Sequence, residues 1–241
     1  MESRTSVIKK RLVNIDRIIS VASGKGGVGK SLVASTLAIN LSKKGKKVGL
    51  LDLDLYGPSS HIILGFNDFS FPEEDNGIIP PKIDNIKFMS IVIFSEDKPS
   101  AFRGVDITNI IIELLAITQW GYLDYLIIDM PPGIGDETLD VINLIKDCSY
   151  LVVTTPSKVA MGAVEKLLKM LDEQDLPILG VIENMKMKKE EFIKKSINSM
   201  GIRYLGSISF DENLEESIGK TDSLHDTNFM NDLDKIIEKT L

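Results

Sequence analysis

Residues 18–45 set down three things in succession: an apolar run over 18–22, a glycine-rich octet, and a segment with helical periodicity from Lys30 to residue 44. The octet reads Gly24-Lys25-Gly26-Gly27-Val28-Gly29-Lys30-Ser31 and satisfies G-x-x-x-x-G-K-[ST]. A strand before it and a helix after it are the context in which that pattern builds an anion cradle. Glycines let successive backbone N–H groups turn inward, and the helix N-terminus adds partial positive charge. Lys30 is then placed to bridge terminal phosphates as a point charge, and the Ser31 hydroxyl to join a Mg²⁺ shell. The whole octet, Gly24 to Ser31, is therefore the candidate nucleotide-binding loop. A strand feeding a helix through such a loop also demands a sheet covered by helices.

The remainder of the chain agrees. Short runs at 48–51, 86–91, 125–128, 150–154, 178–182 and 203–205 are apolar at nearly every position, as strands buried on both faces are. Segments 106–119, 137–146, 158–173, 188–200 and 228–240 read as helices between them; in 158–173, Val159, Ala163, Val164, Leu167, Leu168 and Leu171 keep three-and-four spacing, as one helix face does. The expected fold is α/β: a doubly wound, mostly parallel sheet flanked by helices, in one domain over 1–241. Within it, 1–16 is an N-terminal extension, 66–84 is an irregular excursion that could close as a small hairpin, and 211–241 is an acidic helical region whose charges form a solvated face.

Two further strand ends carry acids. Asp52 and Asp54 follow the 48–51 run, and i, i+2 carboxylates at a strand end face the edge where open α/β sheets bind ligands. Asp54 is the candidate for a Mg²⁺-bound water or for orienting an attacking water. The run Tyr125-Leu126-Ile127-Ile128-Asp129 ends in a third acid, which a buried strand would fix beside the metal. Candidate metal residues are thus Ser31, Asp54 and Asp129, and the loop at 131–136 could sense a γ-phosphate.

Lys25 is not required by the general loop pattern. Lys25 to Ser31 resembles the deviant Walker A motif of the P-loop family that contains MinD, ParA, arsenical-pump ATPases and nitrogenase iron protein. The resemblance implies an ATP-sandwich homodimer in which Lys25 reaches the partner's nucleotide, so that Lys25, Lys30 and Asp54 are the catalytic set. Tyr56-Gly57-Pro58-Ser59, Phe102-Arg103-Gly104, Asp129-Met130-Pro131-Pro132-Gly133, Thr155-Pro156 and Glu183-Asn184-Met185 resemble the Mrp-type branch of iron–sulfur cluster carriers. This likeness implies Mg²⁺-dependent ATP hydrolysis in iron–sulfur cluster assembly or transfer, with an apo client or cluster donor as partner. It also implies that Asn184 bonds the adenine and that Pro156 walls the base pocket; read from the residue alone, Asn184 is a strand-end turn residue. Arg103 is left between a site residue and a surface charge.

The chain departs from that branch where a Cys-x-x-Cys pair usually follows the Glu-Asn-Met segment. Here the stretch is Met185-Lys186-Met187-Lys188-Lys189-Glu190-Glu191-Phe192, and Cys148, which reads as a small buried residue, is the one cysteine of the chain. Thiolates hold iron–sulfur clusters, so the usual cluster site does not carry over, and the cluster itself is left open. Val105 and Ser209 stand where the branch often has proline.

A cluster-free positioning or regulatory ATPase of MinD or ParA kind is the alternative. Against its two usual attachments, the net charge of −7 disfavours nucleic acid, and the terminal helix is too acidic for a membrane anchor. The lysines 186, 188, 189, 194 and 195 are diluted by Glu190 and Glu191 and read as a solvated helix face. Absence of an apolar leader or span points to the cytoplasm.

Overall fold

The computed structural model describes residues 3–68, 70–95, 104–188 and 191–241. Its elements run α1 (Arg4–Leu12), β1 (Ile15–Ser23), α2 (Lys30–Lys43), β2 (Val48–Asp52), α3 (Ser60–Leu64), β3 (Lys82–Ile83), β4 (Ile86–Ser90), α4 (Val92–Ser95) and α5 (Gly104–Ile117). They continue β5 (Leu123–Asp129), α6 (Asp136–Leu144), β6 (Ser149–Thr154), α7 (Lys158–Glu173), β7 (Ile178–Lys186), α8 (Phe192–Ser199), β8 (Tyr204–Ser209), a 3-10 turn at Leu214–Ser217, α9 (Thr221–His225) and α10 (Asn228–Ile237).

The strands form one eight-stranded sheet in the order β3-β4-β2-β5-β1-β6-β7-β8, parallel except for the β3–β4 pair. The chain leaves β1 toward β2 on one side and later crosses from β5 to β6 on the other. β1 therefore sits where the winding reverses, and such a point opens a crevice at the carboxyl ends of the strands. The uniform apolarity of the strands has its cause here: all of β2 and residues 125–129 of β5 are buried, with helices on both faces. α7 shows how its ends are set. Ser157 caps it by accepting from the Ala160 N–H at 3.4 Å, while Val164, Leu167, Leu168 and Leu171 are fully buried. Val159, expected on the same face, is 75% exposed: the buried stripe runs through Ala160 and Val164, which leaves Val159 outside it and Ala163 half-buried at its rim.

Every expected strand is present, and β3 is an addition of two residues, too short to carry a periodic signal. The expected helices are present too, with 188–200 shortened to Phe192–Ser199; residues 189 and 190 of that basic stretch lie outside the described residues. The segment before Ile15 forms α1, capped by Ser3 and packed on α5. In 66–84, Glu74 and Ile78 form a bridge around a turn at Asn76-Gly77. Ile78 is fastened to the end of α5, donating to Ile117 O at 2.7 Å and accepting from Gln119 N–H at 2.8 Å. The acidic C-terminal region is more than a solvated face: α10 buries Phe229, Met230, Leu233, Ile236 and Ile237. Asp222 and Asp234 pair with Lys43, the last residue of α2, and Lys44, its C-cap.

Candidate nucleotide site

The octet bridges β1 and α2 at the winding reversal. Gly27 and Gly29 adopt φ of +77° and +81°, which a side chain would resist. Gly24 is constrained by space: a Cβ there would stand 2.5 Å from the backbone of Ala163, so α7 could not approach the loop. The first backbone bond of the helix runs from Val33 N–H to Gly29 O at 3.0 Å. Earlier amides have no intrahelical acceptor by helix geometry. Gly26, Gly27, Gly29, Lys30 and Ser31 line a cavity of about 310 Å³ together with Asp54, Gly57, Ser59 and Pro132.

Beneath the loop lies a buried ion pair. Lys30 Nζ contacts Asp129 Oδ1, with the side chains 6% and 0% exposed, and reaches Ser31 Oγ at 3.4 Å. Asp129 ends β5, and its other oxygen accepts from the Ser60 hydroxyl at 3.1 Å. Asp52 stands directly beside it, because β2 and β5 pair in a register that sets Asp52 against Asp129. Asp52 accepts from the N–H groups of Asp54 (3.0 Å), Ser59 (3.2 Å) and Ser60 (3.2 Å). Its burial, and next the charge of Asp129, push its pKa up to about 7 against the lowering effect of Lys30. Asp54 has left the strand; it is half-buried, and its Oδ1 accepts from Gly57 N–H at 3.0 Å.

Asn184 lies within β7, two residues before its end, so it is not a strand-end turn residue. It is 1% exposed; its Nδ2 donates to Val28 O at 2.9 Å, and its Oδ1 accepts from Met185 N–H at 2.8 Å. A Cβ on Gly29 would fall 2.3 Å from that Nδ2. Asn184 thus holds the underside of the loop. Pro156 is exposed just past β6, and neither it nor Asn184 lines the 310 Å³ cavity. Lys25 is half-buried in the loop, its carbonyl accepting from the Ser23 hydroxyl at 2.9 Å, and its side chain is also outside that lining. Phe102 and Arg103 lie outside the described residues.

The description ParA: NUBPL iron-transfer P-loop NTPase matches residues 14–241. The chain belongs to this family. It is 40% identical over 227 residues to an iron-sulfur cluster carrier protein of Aquifex aeolicus, covering 88% of this chain and 62% of that one. It is 35% identical over 258 residues to the carrier of Saccharolobus solfataricus, covering 96% and 86%. It is 34% identical over 226 residues to iron-sulfur cluster transfer protein NUBPL of Dictyostelium discoideum, covering 88% and 70%. The chain spans 62% of the length of the Aquifex and Pseudomonas fragi carriers. Among solved structures, a nucleotide-binding protein from Archaeoglobus fulgidus in complex with ADP superposes with TM-score 0.79 at 32% identity, covering 92% of this chain and 93% of that one. The cell division ATPase MinD of Pyrococcus furiosus, at 23% identity and TM-score 0.69 over 94% and 100%, shares the fold.

For a NUBPL-type chain the donor set suits Mg²⁺. Ser31, Asp54 and Asp129 offer hard oxygens, and Mg²⁺ is commonly held by one or two carboxylates plus substrate phosphates. Among the described residues no group of three or more His, Cys, Asp or Glu could hold a metal alone, so phosphate oxygens would complete the shell. The thiol is elsewhere. Cys148 precedes β6, at the edge of the sheet opposite the loop; it is 5% exposed, and burial pushes its pKa up.

Two residues escaped the sequence reading. Asp52 was visible as half of an Asp-x-Asp pair, but its place against Asp129 depends on the β2–β5 pairing. Ser60 carries no motif; only the turn after Asp54 brings its hydroxyl to Asp129.

Proposed function

We propose that this chain, as one P-loop domain over 1–241, is a Mg²⁺-dependent ATPase acting as a homodimeric switch in iron–sulfur cluster assembly or transfer, without holding the cluster on a cysteine pair of its own. The observation that carries the reading is the buried Lys30–Asp129 pair beneath a glycine cradle, opening into a cavity with Asp54 on its wall. The NUBPL family and its carrier-named relatives supply the biological setting.

Loop amides of Gly26 to Ser31 would bind the phosphates. Lys30 has three N–H donors, so it can keep Asp129 while reaching the β- and γ-oxygens. Asp54 would orient water in line with the γ-phosphorus. The water oxygen bonds to that phosphorus, and the bridging bond to the β-phosphate breaks with its electron pair leaving on ADP. One water proton passes to a phosphate oxygen or solvent, and ADP and phosphate result. Lys25 of the partner subunit would add charge where it develops. Mg²⁺ on Ser31, Asp54 and Asp129 would supply charge neutralisation between the phosphates. Pro156 would wall the base, and Asn184 Oδ1 has a second lone pair for the adenine amino group.

A second reading, a cluster-free positioning or regulatory ATPase, is favoured by one observation: the single cysteine is buried at the far edge. Anaerobic reconstitution with iron and sulfide separates the outcomes, with iron counted per dimer and hydrolysis followed in parallel. Expected are Mg²⁺-dependent turnover, lost in Lys30→Ala and slowed in Lys25→Ala with nucleotide still bound, and no stable cluster. Full turnover in either variant overturns the catalytic assignment. A chromophore that disappears in Cys148→Ser overturns the absence of a cluster ligand. If Mg·ATP leaves transfer from a cluster donor to an apo client unchanged, the second reading replaces the first.

A further inference from the structure

At the edge of the sheet opposite the loop, a cavity of about 520 Å³ opens beneath the starts of β2, β4 and β5. Its lining includes Lys46, Lys47, Lys82 and Lys87 around the Tyr122 ring, which is 49% exposed, and no carboxylate lines it. These lysines come from three separate places in the chain: the α2–β2 connection, β3 and β4. Lys47 Nζ sits 4.8 Å from the Tyr122 ring centroid, and Lys87 Nζ donates to Trp120 O. Among the described residues none of the four has a carboxylate within ion-pair distance.

Nearby acids are turned to other tasks. Asp124 accepts from Lys47 backbone N–H at 2.6 Å, and Asp16 accepts from the Tyr122 hydroxyl at 2.8 Å. Burial first, and then the charges of Lys82 and Lys47, lower the pKa of Lys87. Unneutralised cations gathered in a concavity repel one another, and that is unexpected in a chain of net charge −7. The neighbouring Lys43 and Lys44, by contrast, each pair with an aspartate.

We infer that this cavity is a second anion site, for a phosphate-bearing small molecule, with Lys46, Lys47, Lys82 and Lys87 as its cations and Tyr122 as a platform for an aromatic group attached to the phosphate. Lysine acts as a point charge toward phosphate, and the half-exposed ring gives a base or similar ring a surface to stack upon. The size is within the usual range for small-molecule pockets. A ligand here touches none of the residues around the glycine loop, so it can bind together with nucleotide.

The test uses the full chain with the loop site first saturated by a non-hydrolysable ATP analogue and Mg²⁺. Inorganic pyrophosphate, AMP and a poly-glutamate peptide are then titrated separately by calorimetry. The expected result is saturable binding of pyrophosphate at one site per chain, weakened at least tenfold by the exposed double change Lys46→Glu with Lys82→Glu. Affinity for the ATP analogue should stay unchanged in that variant. With the ring as platform, AMP binds more tightly than inorganic phosphate titrated in the same way, and Tyr122→Ala removes that margin; equal affinities overturn the platform. Absence of saturable binding by either phosphate probe, or binding indifferent to the lysine changes, overturns the site. Lysine-dependent binding of the peptide alone overturns it in favour of an acidic protein partner.

Discussion

The two edges of the sheet handle charge in opposite ways. At the carboxyl edge, Lys30 and Asp129 are both buried and satisfied by each other, with Ser60 and Ser31 completing the contacts. At the amino edge, four lysines share one open cavity without a carboxylate partner among the described residues. Glycines differ in the same way. Gly29 and Gly45 have nearly the same φ, +81° and +79°, yet a Cβ on Gly29 would strike Asn184, while one on Gly45 meets nothing within 4 Å. The lesson is that a charge or a glycine has meaning only with its surroundings. One edge packs its charges tightly against buried partners, and the other leaves its cations reachable.

The largest break in that contrast comes from Lys30→Ala. It leaves Asp129 buried and uncompensated, a loss of about 3–5 kcal/mol for a broken buried pair. Nucleotide binding or turnover should fall by at least about 100-fold, since the charge next to the phosphates is gone. Calorimetric titration with ATP and a thermal melt check both; an unchanged melting temperature would show that the ion pair contributes nothing.

Asp52 gives the next effect. Its pKa is raised from 3.8 to about 7 in the folded chain, so the native state holds a proton that the unfolded state has released. Stability from this group is full below pH 4 and is lost as pH rises through about 7. Melts without nucleotide or Mg²⁺ should therefore show a decline between about pH 4 and about pH 7, on the order of 1–4 kcal/mol, that flattens in Asp52→Asn. A slope identical in the variant would place the titration elsewhere.

Gly29→Ala and Gly45→Ala sharpen the comparison directly. Both force an L-residue into the left-handed region, costing about 1 kcal/mol. Gly29→Ala must also displace Asn184, so its total loss should reach about 2–3 kcal/mol and nucleotide affinity should fall with it. Equal losses at the two positions would mean that the loop yields freely. Smallest of all is Cys148→Ser, expected to shift stability by about 1 kcal/mol or less while leaving ATP affinity unaltered. With the thiol buried and its pKa raised, a thiol reagent should label the folded chain far more slowly than the unfolded one.

Much of this was legible in the residues. Uniformly apolar strands announced a sheet covered on both faces, and the octet between a strand and a helix located the loop to the residue. These are local signals, since periodicity and glycine spacing act within a few residues. Elements without period escaped: α1, α3, α4 and α9 are short or polar, and the excursion at 66–84 takes its shape from the end of α5 rather than from itself. Asn184 shows the same limit, because an amide far along the chain could not be seen to hold Val28.

By itself the sequence determined the element types, the anion-binding loop and the acids at the strand ends, because backbone sterics and burial patterning are written locally. The tertiary structure alone decided strand order and register. Those brought Asp52 beside Asp129, set Lys30 between buried partners, and gathered four separated lysines on one cavity. Such contacts follow from which strands pair, and pairing is settled by the packing of the whole chain.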